Sequence, residues 1–219
     1  MSAEINSKEY WDERFGSGDW DEKEGREQSL FSYKLALSLM PNWLKAEIKN
    51  DGLSVLDLGC AEGEGVDLFG REFSSSSVSG ADISAAAIEK AREYYPDFRF
   101  FESDINNITG EFDVIFSSNT LEHFENTEPI IKNILPHCRK YFFMLIPFRE
   151  KDRIDEHFYT FDYNNFPYEN GDFRLIYHKE TDCTDMEKTQ WPGEEMLVVY
   201  AKKDLIKDSL NLSDIENGN

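Results

Sequence analysis

The chain has 219 residues, 40% of them apolar and 14% aromatic, enough to bury one substantial core and too much for a disordered segment. Its formal charge of −21 repels phosphate backbones and anionic headgroups, so neither nucleic acid nor a membrane surface is expected as a partner. No apolar run approaches the roughly 18–20 residues of a membrane span, and the opening MSAEINSKEYWDERF holds no signal-peptide segment, so a cytoplasmic protein is expected.

Residues 10–15 read as a short helix. Leu30, Tyr33, Leu37, Met40 and Leu44 then recur at helical spacing, with Pro41 placed to kink or split the element. Residues 54–58 are a short apolar strand closed by Gly59, and Val66, Phe69 and Phe73 mark the helix after it. A second strand follows at 78–82. Ser84 is suited to cap a helix whose apolar face is Ala87, Ile88, Ala91 and Tyr95, stopped by Pro96. Further strands are expected at 98–101, 112–117 and 141–146, the last ended by Pro147, with a helix carrying Ile130, Ile131, Ile134 and Leu135 before it. Two late runs, 173–178 and 196–201, are joined through Trp191-Pro192-Gly193 without a helical pattern and should pair antiparallel. Alternating strands and helices predict an α/β, doubly wound, mostly parallel sheet. The expected organisation is a helical cap over 1–50, a ligand-binding domain over 51–203 and a polar acidic tail over 204–219. Cys60, Cys138 and Cys183 are odd in number and scattered, and no Cys/His spacing resembles a zinc site, so neither a disulfide framework nor a metal is expected.

The most informative stretch is Val55-Leu56-Asp57-Leu58-Gly59-Cys60-Ala61-Glu62-Gly63-Glu64-Gly65. A glycine-rich turn between strand and helix lets backbone approach a ligand, and the helix N-terminus presents free N–H groups. Glycines at 59, 63 and 65 do not fit the Gly-x-Gly-x-x-Gly spacing of a dinucleotide site, and Asp57 has no role in that fingerprint. Asp82 closes the next strand, where a carboxylate can accept from both ribose hydroxyls. Asp104, after the third strand, can accept from an adenine amine, with Ile83 and Ile105 on either side of the ring. Three carboxylates at one sheet edge repel the phosphates of NAD and suit a cationic, phosphate-free nucleoside.

Asp57-Leu58-Gly59-Cys60-Ala61-Glu62-Gly63, Asp82-Ile83-Ser84, Phe112-Asp113-Val114-Ile115 and Leu121-Glu122-His123-Phe124 together resemble the class I S-adenosylmethionine-dependent methyltransferases. The resemblance covers about residues 53–147. It implies a seven-stranded sheet of order 3-2-1-4-5-7-6 with an antiparallel last strand, and S-adenosylmethionine held over Gly59 and Ala61. Ala61 stands where the family usually has a second glycine. The resemblance also implies that Asp57 lies near the methionine amino group, that Asn119 lines the cofactor, and that Tyr10 and Trp20 belong to a lid, with Trp11 packing the lid helix.

Methyl transfer is an in-line displacement, so the protein chiefly aligns the reactants. His123, at the rim after the fourth strand, and His157, in the loop after the fifth, are the candidate catalytic bases. Arg149, Lys151 and Arg153 concentrate positive charge in that same loop, which makes Arg149 and Arg153 candidates for an anionic substrate group. Tyr159, with Phe161, Tyr163 and Tyr168, can stack on sugar faces. The expected function is methylation of oxygen or nitrogen on a small-molecule acceptor, such as a saccharide or sugar nucleotide. A protein methyltransferase and a non-catalytic cofactor-binding partner subunit are the alternatives.

Overall fold

The computed structural model describes residues 3–74, 77–187 and 193–206. Four helices precede the first strand: α1 (Lys8–Gly16), α2 (Asp19–Glu22), α3 (Gly25–Leu39) and α4 (Asn42–Asn50). Ser7 caps α1 by accepting from the Tyr10 N–H. Pro41 splits the second helical signal: its extended backbone (φ −60°, ψ 141°) ends α3 and starts α4. Alternation follows: β1 (Val55–Leu58), α5 (Glu64–Glu72), β2 (Val78–Asp82), α6 (Ala85–Tyr94), β3 (Arg99–Glu102), β4 (Phe112–Ser118), α7 (Thr127–Ile134) and β5 (Cys138–Phe148). The chain closes with β6 (Glu169–Asn170), β7 (Phe173–Asp182) and β8 (Glu194–Lys202).

One sheet runs β3-β2-β1-β4-β5-β8-β7-β6. β1 to β5 pair in parallel, and β8 pairs antiparallel with both β5 and β7. The sheet therefore has eight strands where seven were expected. The additional one, β6, is only two residues long and pairs antiparallel with β7 at the edge, too short to leave a pattern in the sequence. β5 also runs past its expected stop. Pro147 lies beyond the last β4 pair, Ser118↔Leu145, where no β4 residue faces it, while the pairing with β8 continues through Pro147↔Glu195. Trp191 and Pro192 of the β7–β8 connection, and the tail beyond residue 206, lie outside the described residues.

Both faces of the sheet are covered, so its strands are apolar on both sides. Val55, Val114, Phe116, Phe143, Leu145 and Val199 pack with Leu44, Ile48 and Phe69 from the helices of one face. Leu56, Ile115, Phe142, Met144 and Val198 alternate with them and pack against Ile130, Ile131 and Ile134 of α7 and Phe161 on the other. The carboxyl ends of β1, β2, β3 and β4 open together beneath α1 and α2, where ligands bind in doubly wound folds.

Candidate active site

The turn after β1 is shaped by backbone geometry. Gly59 has φ +84°, and a Cβ there would meet Thr120 Oγ1 at 2.3 Å, so only glycine fits. The Gly59 and Cys60 N–H groups both donate to the Ala81 carbonyl, at 2.8 and 3.0 Å, which fastens the turn to β2. Ala61 also lies in the left-handed region (φ 48°), a conformation that disfavours a side chain, and its N–H donates to Asp82 Oδ2 at 2.9 Å. Asp82 Oδ1 accepts from the Ser84 N–H at 2.9 Å, and Ser84 caps α6. Each Asp82 oxygen thus keeps a further lone pair. Burial pushes Asp82 above the usual carboxylate range despite these donors.

A cavity of about 270 Å³ lies over this turn. Gly59, Ala61, Asp82, Ile83, Asp104, Ile105, Asn119, His123 and Trp20 line it, together with Tyr33, Trp11 and Phe15. Asp104 accepts from the Asn106 backbone and side chain, at 2.8 and 3.0 Å. Asn119 (φ 47°) turns its side chain to Glu195, 3.2 Å away. Asp57 is fully buried beneath the cavity floor, and the Tyr33 hydroxyl lies 2.8 Å from both of its oxygens. Tyr33 can reach it because Gly65 leaves room: a Cβ there would fall 2.0 Å from the tyrosine ring. Burial pushes Asp57 up to about 8, against the lowering effect of the Tyr33 hydrogen bond.

Over the cavity from α1 and α2 lies a row of rings, Trp11–Phe15–Trp20, with centroids 6.0 and 5.0 Å apart. Trp20 folds against Gly25, where a Cβ would sit 2.3 Å from the indole. Trp11, rather than Tyr10, lines the cavity. Tyr10 instead donates to Glu156 Oε1 at 2.6 Å, alongside Arg14 at 2.5 Å, and so ties α1 to the loop after β5. Asp12 fastens the other side of α1 by accepting from Ser84 Oγ and the Ala86 N–H, at 2.7 and 3.2 Å. Two lining groups are buried without a hydrogen-bond partner, Trp20 Nε1 and Asn6 Oδ1. Buried orphans of this kind are costly unless a ligand satisfies them.

Of the two histidines, His123 lines the cavity and His157 stands one ring behind it, with centroids 5.3 Å apart. His123 Nδ1 lies 2.9 Å from the Glu156 carbonyl, and His157 Nδ1 lies 2.9–3.0 Å from the Glu150 carboxylate. Burial lowers both imidazoles to about 4, so both are neutral at pH 7. Burial raises Glu150 to about 7 and Glu195 to about 8.

Arg149, Arg153 and Tyr159 lie outside the cavity wall. Arg149 pairs with Glu194 at 2.7 Å and stacks over Phe148. Arg153 donates to the Phe158 carbonyl at 2.7 Å, and the Tyr159 hydroxyl accepts from Asn165 at 2.6 Å. Phe161 is fully buried, while Tyr163 and Tyr168 are exposed, so these aromatics form no common stacking face.

Residues 55–140 match the model of a methyltransferase domain family. Among curated proteins, the trans-aconitate 2-methyltransferase of Deinococcus radiodurans is 33% identical over 86 residues, 39% of this chain and 33% of the relative. The chain spans about a third of the length of the curated relatives it matches. Among solved structures, magnesium protoporphyrin IX methyltransferase from Synechocystis PCC 6803 with bound S-adenosylhomocysteine superposes with a TM-score of 0.68. That match covers 90% of this chain and all of that one at 13% identity. An S-adenosylmethionine-dependent methyltransferase from Mesorhizobium loti gives 0.58 over 77% of this chain and 96% of its own, at 18% identity. Residues 55–140 are therefore similar to the methyltransferase domain family, and the chain as a whole has the fold shared by these class I S-adenosylmethionine-dependent methyltransferase structures.

Proposed function

We propose that the protein is an S-adenosylmethionine-dependent methyltransferase acting on oxygen or nitrogen of a small molecule. The observation that carries this reading is the chemistry of the cavity. Asp82 and Asp104 line it, Asp57 lies beneath it, and among the described residues no lysine or arginine lines it. Such a wall disfavours a dinucleotide's phosphates and favours a sulfonium nucleoside. In this reading Asp82 accepts from ribose hydroxyls and Asp104 from the adenine amine, with the ring between Ile83 and Ile105. Trp20 Nε1 and Asn6 Oδ1 offer one donor and one acceptor from the lid. When bound, S-adenosylmethionine supplies a methyl group already activated by the sulfonium.

The remaining work is alignment and exclusion of water. Trp11, Phe15 and Trp20 close the cavity from above. In this reading the acceptor rests on the wall formed by Ser118, Asn119, His123 and Phe124. His123 receives an acceptor hydroxyl or amine as a neutral imidazole, and His157 positions it from behind. With no lysine or arginine among the described lining residues, a neutral or cationic acceptor is favoured over a polycarboxylate, and Arg149 and Arg153 take no part in this reading.

Incubating the purified chain with methyl-labelled cofactor and a cellular extract tests this. Label in the small-molecule fraction supports the reading. Label confined to protein would instead support protein methylation, and tight cofactor binding without transfer would support a partner subunit.

A further inference from the structure

The corner behind His123 holds a set of groups that cofactor binding does not use. Glu122 is 0% exposed, and neither of its carboxylate oxygens has a hydrogen-bond partner. Leaving a carboxyl group buried in this way costs several times a lost hydrogen bond unless a cation or donor meets it. One ligand atom each from Glu122, His123 and His157 lies within 4.8 Å of the others, and His157 Nε2 is 3.9 Å from Glu122 Oε1.

The Nδ1 partners of the two imidazoles serve to assign which nitrogen carries the lone pair. His123 Nδ1 faces the Glu156 carbonyl at 2.9 Å, which can only accept, so Nδ1 carries the proton and Nε2 the lone pair. His157 Nδ1 faces both Glu150 oxygens and is assigned as a donor to them in the same way. A histidine that donates one ring N–H to a carboxylate or carbonyl while presenting the other nitrogen is the usual second-shell arrangement of a metal ligand. The geometry is also held in place before any ligand arrives. Glu122 and His123 share a single 3₁₀ turn (Leu121–His123), and the Phe158 and Tyr159 N–H groups donate to the Glu122 carbonyl at 2.8 and 3.0 Å, which pins His157 beside it.

We propose that Glu122, His123 and His157 form a binding site for a divalent first-row transition metal, with Glu150 and the Glu156 carbonyl orienting the two imidazoles. Two imidazoles and one carboxylate suit zinc, cobalt or manganese better than an all-oxygen magnesium or calcium site. His123 lines the cavity, so the ion sits at the acceptor wall, where an acceptor oxygen can complete its coordination. The site deepens the methyl-transfer reading: with the ion bound, the His123 Nε2 lone pair goes to the metal, and the metal rather than the imidazole receives the acceptor oxygen; the site's existence does not depend on that reading.

The test uses the full chain stripped of metal and titrated with Co²⁺ by absorption spectroscopy and with Zn²⁺ by calorimetry. One equivalent is expected to bind, with the visible bands of nitrogen-ligated Co²⁺. Glu122→Gln, which keeps the shape and removes the anionic donor, and His157→Asn should each weaken binding by at least about 100-fold. Glu150→Gln should weaken it by about 10–100-fold. Thermal melting and S-adenosylhomocysteine titration, run on every variant, separate loss of the metal site from loss of fold or of cofactor binding. Two results would overturn the proposal: no stoichiometric binding to the folded wild type, or unchanged binding in the folded Glu122→Gln/His157→Asn double variant. Either can occur with cofactor binding intact, so failure of the metal site is distinct from failure of the methyltransferase reading.

Discussion

At Gly59 two constraints act on one atom position: a left-handed backbone and a Thr120 side chain 2.3 Å from where a Cβ would lie. Gly59→Ala is expected to destabilise the fold by about 2–4 kcal/mol, combining backbone strain with overpacking. Thr120→Ala in the same chain should recover part of the loss by relieving the clash but not the strain, a difference visible in chemical denaturation. Asp82 carries a different load. Each of its oxygens accepts a backbone N–H, so Asp82→Asn sets an amide NH2 against one of them and should cost about 1–3 kcal/mol of stability while the sheet still folds. If its free lone pairs hold ribose hydroxyls, S-adenosylhomocysteine affinity should fall by about 10–100-fold, or 1.4–2.8 kcal/mol, in calorimetry. Both residues stand out in the sequence because the glycine turn and the strand-end acid are local features with fixed spacing. Tyr33 does not. Its hydrogen bonds to Asp57 cross 24 positions, and its neighbours Leu30 and Leu37 mark it only as part of a helix face.

Among the elements, α1 links the two halves of the site. Tyr10 and Arg14 hold Glu156 on the loop after β5, while Asp12 holds the start of α6. Between these anchors Trp11 and Phe15 face the cavity. Removing residues 1–24 should therefore leave the sheet folded and weaken cofactor binding at least about tenfold. An unchanged titration in a truncated chain that still melts cooperatively would remove α1 and α2 from the site. A helix at 10–15 is legible from its residues, but its rotation is not. Tyr10 and Trp11 are adjacent aromatics about 100° apart on the helix, and nothing local says which one points inward. The end of β5 shows the same limit. Proline is a sound strand terminator, and Pro147 escapes the rule only because β4 stops two residues earlier in register. The cluster of Glu122, His123 and His157 joins residues 34 positions apart through hydrogen bonds between two loops, so no spacing rule could have gathered it.

For the whole molecule, alternating strand and helix signals give the mostly parallel sheet and the two late runs its antiparallel end, whereas the strand order is what the resemblance over residues 53–147 implies; the two-residue edge strand leaves no such signal. Buried acids give this molecule a defined pH response. Asp57 is raised to about 8, Glu195 to about 8 and Glu150 to about 7, in each case chiefly by burial. Between the ordinary carboxylate range near 4 and these values, the folded state holds protons that the unfolded chain has released. The contribution of these groups to stability is therefore greatest at low pH and declines as pH rises from about 5 to 8. Asp57→Asn should flatten part of that decline in denaturation measured across the range. The same residue predicts a linkage to the cofactor: if a methionine ammonium lies near Asp57, binding should release protons near pH 7, read as a buffer-dependent heat. The most direct test of the central claim is calorimetric titration of the purified chain with S-adenosylhomocysteine and, separately, with NAD. One equivalent of S-adenosylhomocysteine should bind in the micromolar range, with no response to NAD; a folded protein that binds NAD, or shows no S-adenosylhomocysteine binding even at about 1 mM, would contradict a phosphate-free sulfonium nucleoside site.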